Sequence, residues 1–84
     1  MNVPERSVRL RLLCRGTLQG VGFRPMVLRL GTSLALDGWV RNRVDGVAIE
    51  LVGHRKVLEH FLALLPSALP ATARLESRAV TWRE

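Results

Sequence analysis

Gly16-Thr17-Leu18-Gln19-Gly20-Val21-Gly22-Phe23-Arg24-Pro25 stands between a run with strand periodicity and a run with helix periodicity. Three glycines at 16, 20 and 22 open backbone conformations with positive φ, and they let N–H groups approach a ligand without a Cβ in the way. Pro25 suits the first position of a helix, where its missing N–H is not needed and its φ is already helical. The N–H groups of Gly20, Val21, Gly22 and Phe23, with the fixed cation of Arg24, form a candidate cradle for a phosphate-sized anion at that helix start.

Before the loop, Val8, Leu10, Leu12 and Cys14 alternate with Arg9, Arg11, Leu13 and Arg15, the period of a strand with one buried face. After it, Val27, Leu30 and Leu34, flanked by Phe23 and Met26, make one apolar helix face. Gly31 in that face signals close packing on a sheet. Asp37-Gly38 ends the helix, and Trp39 to Asn42 reads as a second strand. Arg43-Val44-Asp45-Gly46 carries a hairpin cue. Val47, Ile49 and Leu51 alternate in a third strand. A second helix runs from about His54 to Leu65, where Pro66 stops it; its basic first turn, Arg55 and Lys56, opposes the helix dipole. Ala73 to Trp82 is the last strand, with Leu75 and Val80 out of phase.

The order βαββαβ predicts an α+β, ferredoxin-like sandwich: a four-stranded antiparallel sheet, strand order 4-1-3-2, with both helices on one face. The crossover rule puts strands one and three in the centre, read as parallel to each other. In this fold Asn42, at the end of the second strand, comes beside the glycine loop. Its amide both donates and accepts, which suits it to orient a water toward a bound phosphoryl group. The sheet face away from the helices stays open and bears Arg9, Arg11 and Arg15.

At 84 residues the chain makes one domain, 1–84, with no room for a second core. It has no apolar run of about 18 residues that would span a bilayer. The stretch before Ser7 is polar and lacks the apolar core of a secretory signal, so the expected location is cytoplasmic. Net charge is +6, and Lys56 is the only lysine, so arginine carries it. That balance favours anionic partners without choosing among them. Cys14 reads as a small buried hydrophobe. His54 and His60 lack a companion cysteine or carboxylate cluster, so no metal and no cofactor are expected.

Known glycine-loop chemistries fail on residues. A dinucleotide fingerprint needs a further glycine where Pro25 stands, and a P-loop needs Gly-Lys-Ser/Thr, which is absent. An RNA-recognition module shares the element order but stacks bases on aromatic residues of strands one and three, which here contain none. Nucleic acid and membrane are therefore not expected partners. An acyl phosphate fits better, because its good leaving group lets positioning and charge stabilisation carry catalysis without a strong base.

Gly16-x-Leu18-Gln19-Gly20-Val21-Gly22-Phe23-Arg24, followed by Gly38-Trp39-Val40-Arg41-Asn42 and Asp45-Gly46, resembles the two signature motifs of acylphosphatases over nearly the whole chain. The resemblance implies that Arg24 binds the phosphate with the loop amides and that Asn42 orients the attacking water, in a metal-independent hydrolase of acyl phosphates. Inorganic phosphate is then its product or inhibitor. Arg24-Pro25-x-Val27-x-Arg29-Leu30 and Ala73-Arg74-Leu75-Glu76-Ser77 are most similar to the N-terminal acylphosphatase-like domain of hydrogenase-maturation carbamoyltransferases, the HypF proteins. That likeness implies carbamoyl phosphate as substrate, and further domains as partners of an excised one. The alternatives are a stand-alone acylphosphatase and a phosphate-binding docking domain with little activity of its own. Leu18 and Gly31 depart from the family's usual valine and alanine without touching Arg24 or Asn42.

Overall fold

A computed structural model describes residues 7–84; the polar stretch read as lacking a signal segment lies outside the described residues up to position 6. The elements are β1 (Ser7–Thr17), α1 (Phe23–Ser33), β2 (Asp37–Arg43), β3 (Gly46–His54), α2 (Arg55–Ala68) and β4 (Arg74–Arg83). The sheet order β2-β3-β1-β4 is the expected order 4-1-3-2 read from the other edge. Every neighbouring pair is antiparallel, β1 with β3 included, which corrects the parallel reading of the two central strands. The right-handed crossover through α1 relates β1 to β2, and the β2–β3 hairpin then turns back to fill the gap between them.

Alternation along β1 sends Val8, Leu10, Leu12 and Cys14 into the core, where they meet Val47, Ile49 and Leu51 of β3. From α1 the buried residues are Phe23, Met26, Val27 and Gly31, and from α2 Leu58, Phe61 and Leu65. Leu30, Leu34 and Leu62 are the half-buried margins of these faces. A Cβ on Gly31 would sit 3.8 Å from Leu51 Cδ2, ordinary contact, so the close approach expected at Gly31 is not what the packing requires.

α1 begins two residues earlier than the proline suggested, at Phe23, with Gly22 as its N-cap at φ 86°. Pro25 is thus the third helical residue, still within the turn whose N–H groups have no intrahelical acceptor. The helix ends before Asp37-Gly38, which belongs to β2. Ala35 adopts φ 57°, its N–H donates to Thr32 O at 3.0 Å, and that of Leu36 donates to Gly31 O at 2.9 Å. This double closure is a Schellman motif with alanine in the position that favours glycine.

α2 starts at Arg55 because the imidazole Nδ1 of His54 accepts from the Lys56 N–H at 3.3 Å and caps it. The basic first turn is accommodated locally: Arg55 pairs with Glu59 at 3.1 Å and lies over the Trp82 ring at 4.1 Å. Pro66 does not stop the helix, which continues to Ala68. Proline withholds the N–H that would reach the carbonyl four residues back, and Arg78 Nη1 on β4 donates to that oxygen, Leu62 O, at 2.9 Å.

The phase conflict in β4 resolves at a bulge. Arg15 pairs with Ser77 and Gly16 with Leu75, leaving Glu76 as the extra residue. Leu75 and Val80 therefore share the helix-side face. Gly16 is required there, not in the anion cradle, since a Cβ on it would lie 2.0 Å from Arg74 O. On the opposite face Glu50 lies between Arg9 and Arg11: Arg11 Nε donates to Oε1 at 3.1 Å, and Arg9 Nε lies 3.5 Å from Oε2. Trp39 carries the Arg41 guanidinium at 4.5 Å and that of Arg11 at 5.6 Å.

Candidate active site

Strand β1 hands the chain to the loop through Leu18, whose side chain is buried at 3% exposure. The loop then makes two left-handed steps, Gly20 at φ 77° and Gly22 at φ 86°. An L side chain at either position would be strained, which is why the loop reads Gly-Val-Gly. Phe23 drives its ring into the core at 1% exposure, and this pins the first helical residue while its N–H faces out of the helix end. The N–H groups of Phe23 and Arg24 have no acceptor within α1 by position. No side chain caps this end and no acidic residue stands in its first turn, so the positive end of the helix dipole is uncompensated by the chain.

Arg24 follows, exposed, and it makes no ion pair or hydrogen bond among the described residues. Asn42 comes from β2, where it pairs with Val47 of β3, whose other partner is Cys14 of β1. That register puts Asn42 on the helix-side face. Its side chain makes no hydrogen bond among the described residues, so the turn-capping role open to an asparagine before Asp45-Gly46 is not taken up.

A cavity of about 370 Å³ gathers these parts. Leu18, Gln19, Gly20, Gly22, Phe23, Arg24, Pro25, Leu28 and Asn42 line it. Of the residues singled out from sequence, Gly20, Gly22, Phe23, Arg24 and Asn42 therefore meet in one place. Val21 is half-buried beside them and does not line the cavity.

Three residues were given no part in the site by the sequence reading. Gln19 Nε2 donates to Arg43 O at 3.2 Å and ties the loop to the strand end next to Asn42. Arg15 Nε donates to Asp45 O at 3.0 Å and ties β1 to the hairpin tip. Gln19 stands in the signature motif, but a polar side chain among glycines does not say where it reaches. Leu28 was not singled out either, because it falls off the buried face of α1.

Cys14 is fully buried, and burial pushes its thiol up to about 11, opposed weakly by the Arg78 charge. It is the protonated core residue expected from its strand parity, and no nucleophile. Neither histidine lines the cavity. Among the described residues no group of three His, Cys, Asp or Glu side chains is arranged to hold a metal ion. No helix among them is long and apolar enough to cross a membrane.

The sheet, its one-sided helices and the glycine loop opening a helix define an acylphosphatase-like α+β domain. Residues 10–84 match the family model described as Acylphosphatase, and the chain belongs to the acylphosphatase family, hydrolases of the acyl phosphate bond. It is 56% identical over 78 residues to an acylphosphatase of Moorella thermoacetica, covering 92% of this chain and 83% of that one. It is 46% identical over 71 residues to carbamoyltransferase HypF2 of Cupriavidus necator, covering 84% of this chain but 9% of that one. The crystal structure of full-length HypF in its phosphate- and nucleotide-bound form superposes with a TM-score of 0.90 at 30% identity, covering 99% of this chain and 11% of that chain. This chain therefore spans about a tenth of the carbamoyltransferases it matches, and most of the acylphosphatase. Both halves of the resemblance read from the motifs are borne out.

Proposed function

We propose that the cavity at the start of α1 binds an acyl phosphate and hydrolyses it, with Arg24 and the loop N–H groups holding the phosphoryl oxygens and Asn42 orienting the water. The observation that carries this reading is that Arg24 and Asn42, from different elements and without other partners among the described residues, line one cavity with the glycine loop. Arg24 offers a planar fork of donors, matched to two oxygens of one phosphoryl group. The amide of Asn42 accepts from the water and aims its lone pair at phosphorus, opposite the acyl oxygen. The P–O bond to the acyl group breaks, and its electron pair leaves on a carboxylate or carbamate. No side chain lining the cavity is a carboxylate, histidine or thiol, so the nearest acceptors for the water's proton are the phosphoryl oxygens themselves. Positioning and charge stabilisation then supply the acceleration.

Carbamoyl phosphate is the substrate in one setting of this reading, in which residues 1–84 form one domain of a longer cytoplasmic carbamoyltransferase and its other domains are the partners; in the other, a stand-alone acylphosphatase, the substrates are general acyl phosphates. The 46% identity to a HypF relative supports that setting; the near full-length match to a stand-alone acylphosphatase supports general acyl phosphates equally well. A docking role has one observation in its favour, the open face with Arg9, Arg11 and Arg41 exposed. Hydrolysis of benzoyl, acetyl and carbamoyl phosphate by the wild type, Arg24→Ala and Asn42→Ala tests the central reading. Turnover of all three substrates falls in both variants if it holds; equal rates in the three proteins contradict it.

A further inference from the structure

Leu28 is a large apolar side chain left 53% exposed, and Val44 at a hairpin tip and Val80 on an edge strand are the others among the described residues. Its place is different from theirs. It lies on α1 four residues after Arg24, hence one turn along the same face, and helical side chains lean toward the N-terminus. It therefore leans over the cradle. Leu28 lines the 370 Å³ cavity and also a smaller one of about 160 Å³ between α1 and β2, where Val27, Leu36, Trp39 and Leu51 are among its neighbours.

The larger cavity exceeds what a phosphoryl group needs. A water's share of the liquid is about 30 Å³, so an anion of four oxygens fills well under half of it. Its polar lining is Arg24, Asn42, the Gln19 amide and the loop backbone; Leu18, Phe23, Pro25 and Leu28 are apolar, and of these Leu28 lies farthest along α1 from the loop. A bound acyl phosphate with its phosphoryl end in the cradle has its acyl end against this apolar lining.

We propose that Leu28, backed by Pro25, is the seat of the acyl group, and that the site favours acyl phosphates whose acyl portion is apolar and bulky, aromatic or branched, over small ones. This rests on the acyl phosphate reading of the cavity and adds a specificity-determining residue to it. Apolar contacts of this size discriminate by about 10-fold or more, and a carbamoyl or acetyl group has too little surface to gain from them.

The experiment is the ratio of kcat/KM for benzoyl phosphate to that for acetyl phosphate in the wild type, Leu28→Ala and Leu28→Met, with Arg24→Ala in parallel. The ratio falls roughly 10-fold in Leu28→Ala, through KM for benzoyl phosphate, and returns to within about twofold of the wild type in Leu28→Met. An unchanged ratio in Leu28→Ala, or a lowered one that Leu28→Met fails to restore, overturns the proposal. If Arg24→Ala loses activity while the ratio stays fixed, only the acyl seat fails. If Arg24→Ala keeps wild-type rates, the reading of the cavity itself fails.

Discussion

The guanidinium of Arg78 donates to the carbonyl of Leu62 at 2.9 Å, the oxygen for which Pro66 has no N–H to offer. A residue of the edge strand thereby completes the last turn of a helix. Arg78→Ala destabilises the domain by about 1 kcal/mol. In the Pro66→Ala background, where a backbone N–H can serve Leu62, the same change costs less. Chemical denaturation of the four proteins in a double-mutant cycle measures the difference.

Two backbone positions, one in α1 and one just past its C-terminus, carry the opposite of what their conformation favours. Gly31 has helical geometry with room for a methyl group, and Ala35 sits at φ 57°. Gly31→Ala raises stability by roughly 0.5–1 kcal/mol through helix propensity, and Ala35→Gly raises it by about 1 kcal/mol by relieving left-handed strain. Each shifts the denaturation midpoint with an unchanged slope; because Gly31 O and Ala35 belong to one Schellman motif, the double variant departs from the sum of the two single effects.

Burial holds the Cys14 thiol near 11, above its ordinary value of 9.0. A folded-state value above the unfolded one gives stability that is present below the unfolded pKa and lost as pH rises through the folded one. Stability therefore declines between pH 9 and 11, by roughly 3 kcal/mol at most. The chain has no tyrosine and one lysine, so this decline stands out. Cys14→Ala removes it, while the native protein at pH 8 reacts slowly with thiol reagents. Glu50 behaves in the opposite sense. The hydrogen bond from Arg11, helped by the charges of Arg11, Arg9 and Arg83, holds its carboxyl below the usual range. Its contribution is present above the unfolded value and lost as pH falls through the folded one. Glu50→Gln flattens that acid limb in Tm measured against pH.

Most of the fold was legible because burial here obeys simple periods. The alternation of Val8 to Cys14 and the Asp45-Gly46 turn placed two central strands and a hairpin, and the crossover rule then gave the order. The misreadings have local physical causes. Pro66 looked like a helix stop, since the residue that compensates it, Arg78, is remote in sequence. Leu75 and Val80 looked irreconcilable because the bulge at Glu76 is set by how closely Gly16 approaches β4. Gly16 looked like part of the cradle because a glycine needed for close strand approach and one needed for a loop turn are the same letter. Gly20, Gly22, Arg24 and Asn42 were legible, whereas Gln19 and Leu28 were not: their places depend on where a loop and a helix face come to rest.

The proposed function divides the labour between Arg24, which binds phosphate, and Asn42, which orients water, and inhibition by inorganic phosphate measured alongside acyl phosphate turnover separates the two roles. Asn42→Ala lowers kcat by about 10²–10³ and leaves the phosphate inhibition constant near the wild-type value, whereas Arg24→Ala weakens phosphate inhibition and turnover together. Wild-type turnover in Asn42→Ala, or undiminished phosphate inhibition in Arg24→Ala, would contradict it.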